Sequence, residues 1–463
     1  MLQHRRRDPG GTSGVDVSTP SRWRIRQPVL LAIVAALTLG VLATPALAAG
    51  DTIGAVGVND IRSDAIILPD QGWNGLADIG LLQQSGVQLY RARIQLNCVD
   101  PLHNGSFNFT APSASCGGIS YDQLVGALAQ RGITLLPVLM NFDSNENPQP
   151  PTADGADGSP TTAEFAAFAA AAAARYGPNG SFWPTCGCTP APIQAWEIWN
   201  EENNGYWWDG AASPTGYAEV FAATRDALRS VDPQARVVVG GLAYDADGQS
   251  SFVQPAAMIQ ALAAGNANAF DAVAVHPYND ATGASATQLA KGAIALTNEV
   301  AAAVVKYTGP GPHGAPRQQL WITEMGWSTQ SESPLAVADG LQTFFNLLGS
   351  GARTTDNIGP VLWYDLRDNS TLTTRDDQLG LRLTTTDGAD AGPQPAWTVF
   401  TAEAARLGTI ALPAALQNSG PYVATGQTSG SSGHGGKHAH KKKHHHRRHR
   451  ASKHRRAAAV AGG

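Results

Sequence analysis

Eight short runs of β-branched and apolar residues, each followed by a stretch of helical character, constrain the fold of this chain more than any other feature. They fall at 53–59, 89–96, 134–141, 193–200, 236–242, 270–275, 319–323 and 359–364. Strands that alternate with helices in this way predict an α/β protein whose parallel sheet closes on itself, a (β/α)8 TIM barrel. A doubly wound open sheet also alternates strands and helices, but no glycine-rich phosphate loop follows the first run here. The helical stretches carry start and stop signals. Thr161-Thr162-Ala163-Glu164 reads as a capping box that opens an alanine-rich helix, stopped at Gly177-Pro178. Ser213-Pro214 sets a capping side chain before a proline at the first helical position, and Tyr217, Phe221, Ala222 and Leu228 form an apolar stripe behind it.

The ends of the chain differ from its body. Arg22, Arg24 and Arg26 precede an apolar run over 29–42 that ends in Ala46-Leu47-Ala48, the order of a secretory signal peptide, so 1–48 is set apart from the fold. That run is shorter than the ~20 apolar residues of a membrane span, and no transmembrane anchor is expected. Residues 49–415 form the expected catalytic domain: about 360 residues suit one barrel with elaborated βα loops. Residues 416–463 read as a Ser/Gly linker followed by a disordered tail rich in Lys, His and Arg. Between 49 and 433 there are 16 Lys and Arg against 35 Asp and Glu, a net charge of -19, whereas 434–463 holds 5 Lys, 5 Arg and no acid. An acidic body is the wrong sign for a phosphate backbone, so nucleic acid is not an expected partner. The tail is suited to anionic polymers of a cell envelope, and it also holds eight of the twelve histidines, a composition that could capture metal. Cys98, Cys116, Cys186 and Cys188, in an exported chain, predict two disulfides rather than a zinc site, because the thiols lack paired C-x-x-C spacing. Cys98 with Cys116 would brace one loop; closing Cys186-Gly187-Cys188 on itself makes a small strained ring, and cross-pairing stays open.

In a (β/α)8 barrel the reactive side chains come from the C-terminal ends of strands. Two runs end in a glutamate among aromatic residues: Trp196-Glu197-Ile198-Trp199-Asn200-Glu201 on the fourth, and Trp321-Ile322-Thr323-Glu324-Met325-Gly326-Trp327 on the seventh. Glycosidic cleavage needs two carboxyls across the scissile bond, one to protonate the leaving oxygen and one to attack or to activate water.

These segments resemble the retaining clan A glycoside hydrolases, families 39 and 5 (cellulase-like) among them, over roughly the whole barrel. Glu197-Ile198-Trp199-Asn200-Glu201-Glu202-Asn203 is similar to that clan's strand-four Trp-Asn-Glu-Pro-Asn, with Glu202 where proline is usual. His276-Pro277-Tyr278, Arg91 and Trp363 extend the likeness. The resemblance implies a glycosidase acting on a β-linked oligo- or polysaccharide, with Glu201 as acid/base and Glu324 as nucleophile, and the signal-like N-terminus makes it a secreted one. It implies further that Asn200 binds the sugar 2-hydroxyl, that Arg91 and Tyr278 hold Glu324 ionised, that His276 contacts substrate or acid/base, and that Trp363 forms the platform under the sugar. Neither a cofactor nor a metal is expected, since carboxylates suffice, and a monomer is expected.

Blander roles compete for several of these residues. Arg91 or Arg93, on one face of a strand, could simply pair with Glu197 inside the barrel; Arg91 is the better functional candidate. Trp207 and Trp208 suit a sugar cleft and loop packing equally. His103 and His313 read as surface residues. A non-catalytic carbohydrate-binding or wall protein on the same scaffold would need aromatic platforms but no paired carboxyls, and a transglycosylase would use the same two glutamates.

Overall fold

The computed structural model describes residues 56–59, 75–111, 120–143, 147–244, 251–279, 282–368, 375–386 and 389–408. The expected signal peptide, the linker and the basic tail lie outside them. Eight parallel strands close into a barrel in sequence order: β1 (Val56–Asn59), β2 (Leu89–Gln95), β3 (Thr134–Met140), β4 (Ala195–Asn200), β5 (Arg236–Ala243), β6 (Ala272–His276), β7 (Gln319–Ile322) and β8 (Ile358–Tyr364). Closure is made by β1 on β8, in register from Val56 opposite Val361 to Asn59 opposite Tyr364. Between the strands run α1 (Gly75–Ser85), α2 (Tyr121–Ala129), α3 (Thr162–Tyr176), α4 (Pro214–Val231), α5 (Pro255–Ala263), α6 (Ala286–Thr308) and α7 (Pro334–Leu347), with α8 (Pro395–Gly408) after β8. The protein is therefore a (β/α)8 barrel. Each of the eight strand expectations falls on a strand, the first only for its described residues. The βα loops are elaborated as expected: the segment from β8 to α8 carries an antiparallel pair, β9 (Arg382–Thr384) with β10 (Asp390–Pro393).

The core has two layers because each strand is buried on both faces, which is why the strand sequences run apolar rather than alternating. Leu136, Val238, Ala272, Ala274, Trp321 and Leu362 fill the barrel interior. Their strand neighbours, among them Val237, Val239, Val273, Ile322, Val361 and Trp363, face outward into a second, larger layer under the helices. In that layer α3 buries Phe165, Phe168, Ala169, Ala172, Ala173 and Tyr176 along one stripe. Each phenylalanine contributes about 1.5–3 kcal/mol by leaving water.

The helix starts follow their sequence signals, with one difference. Ser213 caps α4 through Gly216 N, with Pro214 at the first helical position. Thr161 caps α3 by accepting from Glu164 N, and α3 ends at Gly177. The expected reciprocal bond from Glu164 is not made, because its carboxylate lies 2.6 Å from Nδ1 of the exposed His103. Cys186 is bonded to Cys188, so the Cys-Gly-Cys segment closes on itself and cross-pairing is ruled out. Gly187, at φ +62°, supplies a backbone conformation that suits glycine. Cys98 is disulfide-bonded; Cys116, its expected partner, lies outside the described residues. No helix among the described residues is long and apolar enough to cross a membrane.

Candidate active site

The site assembles at the C-terminal mouth of the barrel from β2, β4, β6 and β7. On β4 the side chains of Trp196 and Ile198 go outward, and Glu197 goes into the barrel, fully buried. Past Ile198 the strand breaks its alternation. Trp199 has φ +71° and Glu201 φ +47°, left-handed values that cost a non-glycine residue of order 1–3 kcal/mol each. Packing holds them there. The Trp199 ring meets Phe165 and Trp208 edge-on, and its indole N–H donates to Trp207 O at 2.8 Å. Asn203 ties the following turn to β5, accepting from Ala243 N and donating to Ala243 O and Val253 O at 2.8–2.9 Å. The result aims Glu201 across the mouth rather than along the strand.

Arg91, buried on β2, is the electrostatic centre. Its Nε and Nη2 donate to the two oxygens of Glu197 at 2.8 Å, Nη2 also donates to Asn200 Oδ1 at 2.8 Å, and Nη1 donates to Glu324 Oε1 at 2.6 Å. Arg91 is thus both the structural partner of Glu197 and a contact of the strand-seven glutamate. Burial works against its charge, but Glu197 and Glu324 more than offset this and hold it firmly protonated. Arg93 does not pair with Glu197; its guanidinium lies 5.0 Å from the ring centre of Phe142.

Glu324 follows β7. Its Oε2 accepts from the Tyr278 hydroxyl at 2.9 Å and lies 3.6 Å from His276 Nδ1. Burial pushes its carboxyl toward the neutral form, against which the Arg91 charge and the hydrogen bonds from Arg91 and the Tyr278 hydroxyl favour the ionised one. The Tyr278 hydroxyl itself is pushed well up, first by burial and then by Glu324, so it stays a donor.

Glu201 Oε1 lies 2.9 Å from His276 Nδ1, and its Oε2 accepts from Asn204 Nδ2 at 3.3 Å. One oxygen each of Glu201 and Glu324 and one ring nitrogen of His276 all lie within 4.8 Å of one another. Both carboxyls keep an opening, with side-chain exposures of 14% and 12%. Three such donors could also hold a metal ion. The buried guanidinium of Arg91 against Glu324 disfavours a second cation, and Tyr278 already takes the other oxygen.

His276, fully buried at the end of β6, places Nε2 3.1 Å from Thr323 Oγ1, and Thr323 donates to Glu197 Oε1 at 3.3 Å. The ring has room only because Gly241 on β5 carries no side chain, and its neighbour Gly240 makes room likewise for Glu202. A Cβ on Gly241 would overlap Nε2, Cε1 and Cδ2 of His276, and one on Gly240 would overlap Glu202 Oε2. Thr323 and the two glycines were not singled out from sequence. Paired glycines inside a strand, a signature of close approach, were the available signal.

Glu202, the departure from the family pattern, is fully buried in the wall between β4 and β5, and among the described residues neither carboxyl oxygen has a hydrogen-bond partner. The nearby Tyr217 hydroxyl donates to Ile198 O at 2.7 Å. Burial foremost, then Glu197 and Glu201, push Glu202 well above the usual carboxylate range, which favours its neutral form.

The structure brings Glu201, Glu324, Asn200, Arg91, His276 and Tyr278 together, but not Trp363. The parity of β8 explains this. Leu362 lies in the barrel interior, so Trp363 points outward, buried edge-on against Trp327 at 5.6 Å with its indole N–H on Leu379 O at 2.8 Å. It is the next residue, the half-buried Tyr364, that meets the site, its ring 6.4 Å from Tyr278. Trp208 is packing, set edge-on between Trp199 and Tyr217. Trp207 is half-buried and meets Tyr206, which is 65% exposed.

No family model matches the sequence, and no curated protein does. Among solved structures the fold is similar to a family 39 glycoside hydrolase from the gut symbiont Bacteroides cellulosilyticus WH2, at 18% identity over 77% of this chain and 64% of that one, with a TM-score of 0.52. It is similar also to the GH39 enzyme from Xanthomonas axonopodis pv. citri (18% identity, 77% of this chain and 67% of that one, TM-score 0.50). A glucosidase from Croceicoccus marinus gives 14% identity, 78% and 69% coverage, and a TM-score of 0.52. At such identities the shared property is the (β/α)8 barrel, and this chain spans less than two thirds of the Bacteroides protein's length.

Proposed function

We propose that this protein is a retaining glycoside hydrolase of the clan A type, with Glu324 as nucleophile and Glu201 as acid/base, acting on a β-linked glycan. The observation that carries the reading is the asymmetric carboxyl pair. Oxygens of the two groups lie within 4.8 Å, one group pinned by Arg91 and Tyr278 and the other set against His276. Retaining enzymes hold their carboxyls about 5–5.5 Å apart, whereas inverting ones leave about 6.5–9.5 Å for a water. The names of the structural neighbours, two family 39 enzymes and a glucosidase, agree with this chemistry.

In the first step a Glu324 oxygen attacks the anomeric carbon, the glycosidic C–O bond breaks, and its electron pair takes the proton of Glu201. In the second, Glu201 removes a proton from water, whose oxygen attacks the same carbon and releases Glu324. Arg91 holds Asn200 Oδ1, which leaves the amide N–H of Asn200 as the group to meet a sugar hydroxyl. Tyr364, rather than Trp363, is the ring beside the sugar site.

Azide rescue tests this. Glu324→Ala should abolish turnover, and azide should restore cleavage of an activated aryl glycoside with inverted configuration. Glu201→Ala should spare the first step on that substrate and give, with azide, a retained product. An inverted anomer formed first by the unmutated enzyme, read by proton NMR, would overturn the assignment.

Export and retention at an anionic envelope belong to the same proposal, supported by the apolar run at 29–42 and the ten basic residues after 433. Such binding would be screened by salt, over a Debye length of about 8 Å at physiological ionic strength. Removing 434–463 should release protein to the medium without changing turnover of soluble substrate; identical partitioning at low salt would refute it.

A further inference from the structure

We propose that Thr323 and Glu197 are positioning residues that fix the tautomer of His276, and through it place on Glu201 the proton it donates. The inference rests on the glycosidase reading for its kinetic consequence but not for its geometry.

A hydroxyl has one proton to give. Thr323 Oγ1 stands between Glu197 Oε1 at 3.3 Å and His276 Nε2 at 3.1 Å. Glu197, clasped by Arg91 through both oxygens, is a carboxylate and can only accept. If the hydroxyl proton pointed at the imidazole, two lone pairs would face each other across the fully buried Thr323–Glu197 contact, where an unmet polar contact is costly. Thr323 therefore donates to Glu197 and accepts from His276, and Nε2 carries a proton. In the neutral ring Nδ1 is then bare. It sits 2.9 Å from Glu201 Oε1, so that bond exists only if the Glu201 oxygen bears the proton.

The order Glu201 O–H to Nδ1, Nε2–H to Thr323, and Thr323 O–H to Glu197 makes every donor meet an acceptor, and it anchors on the Arg91 pair. The other groups around the ring fit. Glu324 Oε2 is 3.6 Å from Nδ1 but accepts from Tyr278 instead, its partner oxygen is held by Arg91, and the β5 side of the ring is the bare backbone of Gly241. When Glu201 gives up its proton in the first step, Nδ1 loses its donor. The same chain then favours Glu201 taking a proton back from water, which is the second step.

The test uses the full-length protein labelled with 15N-histidine, the His276 signals being identified by their loss in His276→Gln. At neutral pH the resting enzyme should show Nε2 protonated and Nδ1 bare. Thr323→Val, which removes the acceptor at Nε2, should bring up the Nδ1-protonated form. On aryl glycosides with a poor leaving group it should lower kcat by about 10²-fold, the lower part of the range for general acid catalysis. The kcat/KM of a dinitrophenyl glycoside, which reports a first step that needs no acid, should change little while that of the poor substrate falls, and Thr323→Ser should restore the poor substrate's rate. A doubly protonated or Nδ1-protonated ring in the resting enzyme would overturn the proposal. So would a loss in Thr323→Val that is equal for both leaving groups, or no loss on the poor one. Failure of the unmutated protein to cleave any aryl glycoside would remove the glycosidase reading while the tautomer measurement still decides this one.

Discussion

Adding a single methyl group at Gly241 should disable the site. A Cβ there would lie well inside 3.0 Å of Nε2, Cε1 and Cδ2 of His276, and reaching the ordinary 3.4–4 Å requires the ring to retreat by more than about 1 Å. The ring has little slack. It is fully buried, and its bonds to Glu201 and Thr323 are 2.9 and 3.1 Å, so a shift of that size takes at least one past 3.5 Å, where it ceases to be a hydrogen bond. Misplacement by about 1 Å costs a catalytic site roughly 10²-fold. Overpacking of this kind costs about 1–3 kcal/mol of stability. Gly241→Ala is thus expected to lower kcat on an aryl glycoside about 10²-fold or more, with a modest fall in Tm. In His276→Ala the methyl meets no ring, so the double variant should regain the stability lost by Gly241→Ala while showing no less activity than His276→Ala alone. Retention of kcat within about threefold in Gly241→Ala, with Tm unchanged, would refute the packing argument.

Three further outcomes follow from the same structure. Glu202 keeps in the folded state a proton that the unfolded chain releases near pH 4.3, so it adds stability at low pH that is lost as pH rises toward its raised folded value. Glu202→Gln, a neutral isostere, should therefore flatten the fall in Tm as pH rises above about 4.3, and an unchanged fall would show that Glu202 is ionised in the fold. Glu197→Leu leaves Arg91 without its bidentate partner and should cost about 3–5 kcal/mol in urea unfolding, the range for breaking one side of a buried pair. Trp363→Ala should cost about 3–5 kcal/mol of stability with KM little changed, whereas Tyr364→Ala should raise KM. The reverse pattern would return the sugar platform to Trp363.

Much of the site was legible because its motifs are short. Glu201 and Asn200 lie within a few residues of Trp196 and Trp199, and Glu324 follows its own strand, so strand-end position could be read along the chain. Trp363 was misplaced because a run of apolar residues buried on both faces carries no alternation to reveal which residues point inward. Arg91 posed as a choice between a structural and a functional role only because a linear chain cannot show that one guanidinium reaches both Glu197, 106 residues away, and Glu324, 233 away.

The sequence by itself determined the periodic alternation of strands and helices, their caps at Ser213 and Thr161, and the presence of a carboxyl at the end of the fourth and seventh strands. These are local properties, set by side-chain propensity and spacing over a few turns or strands. The tertiary structure decided what depends on closing the barrel: that Tyr364 and not Trp363 meets the pocket, that Gly240-Gly241 makes space for Glu202 and His276, and that β2, β4, β6 and β7 bring Arg91, Glu197, His276 and Thr323 into one hydrogen-bonded network. Proton order in such a network is set by who faces whom across strands, and no stretch of contiguous sequence contains that information.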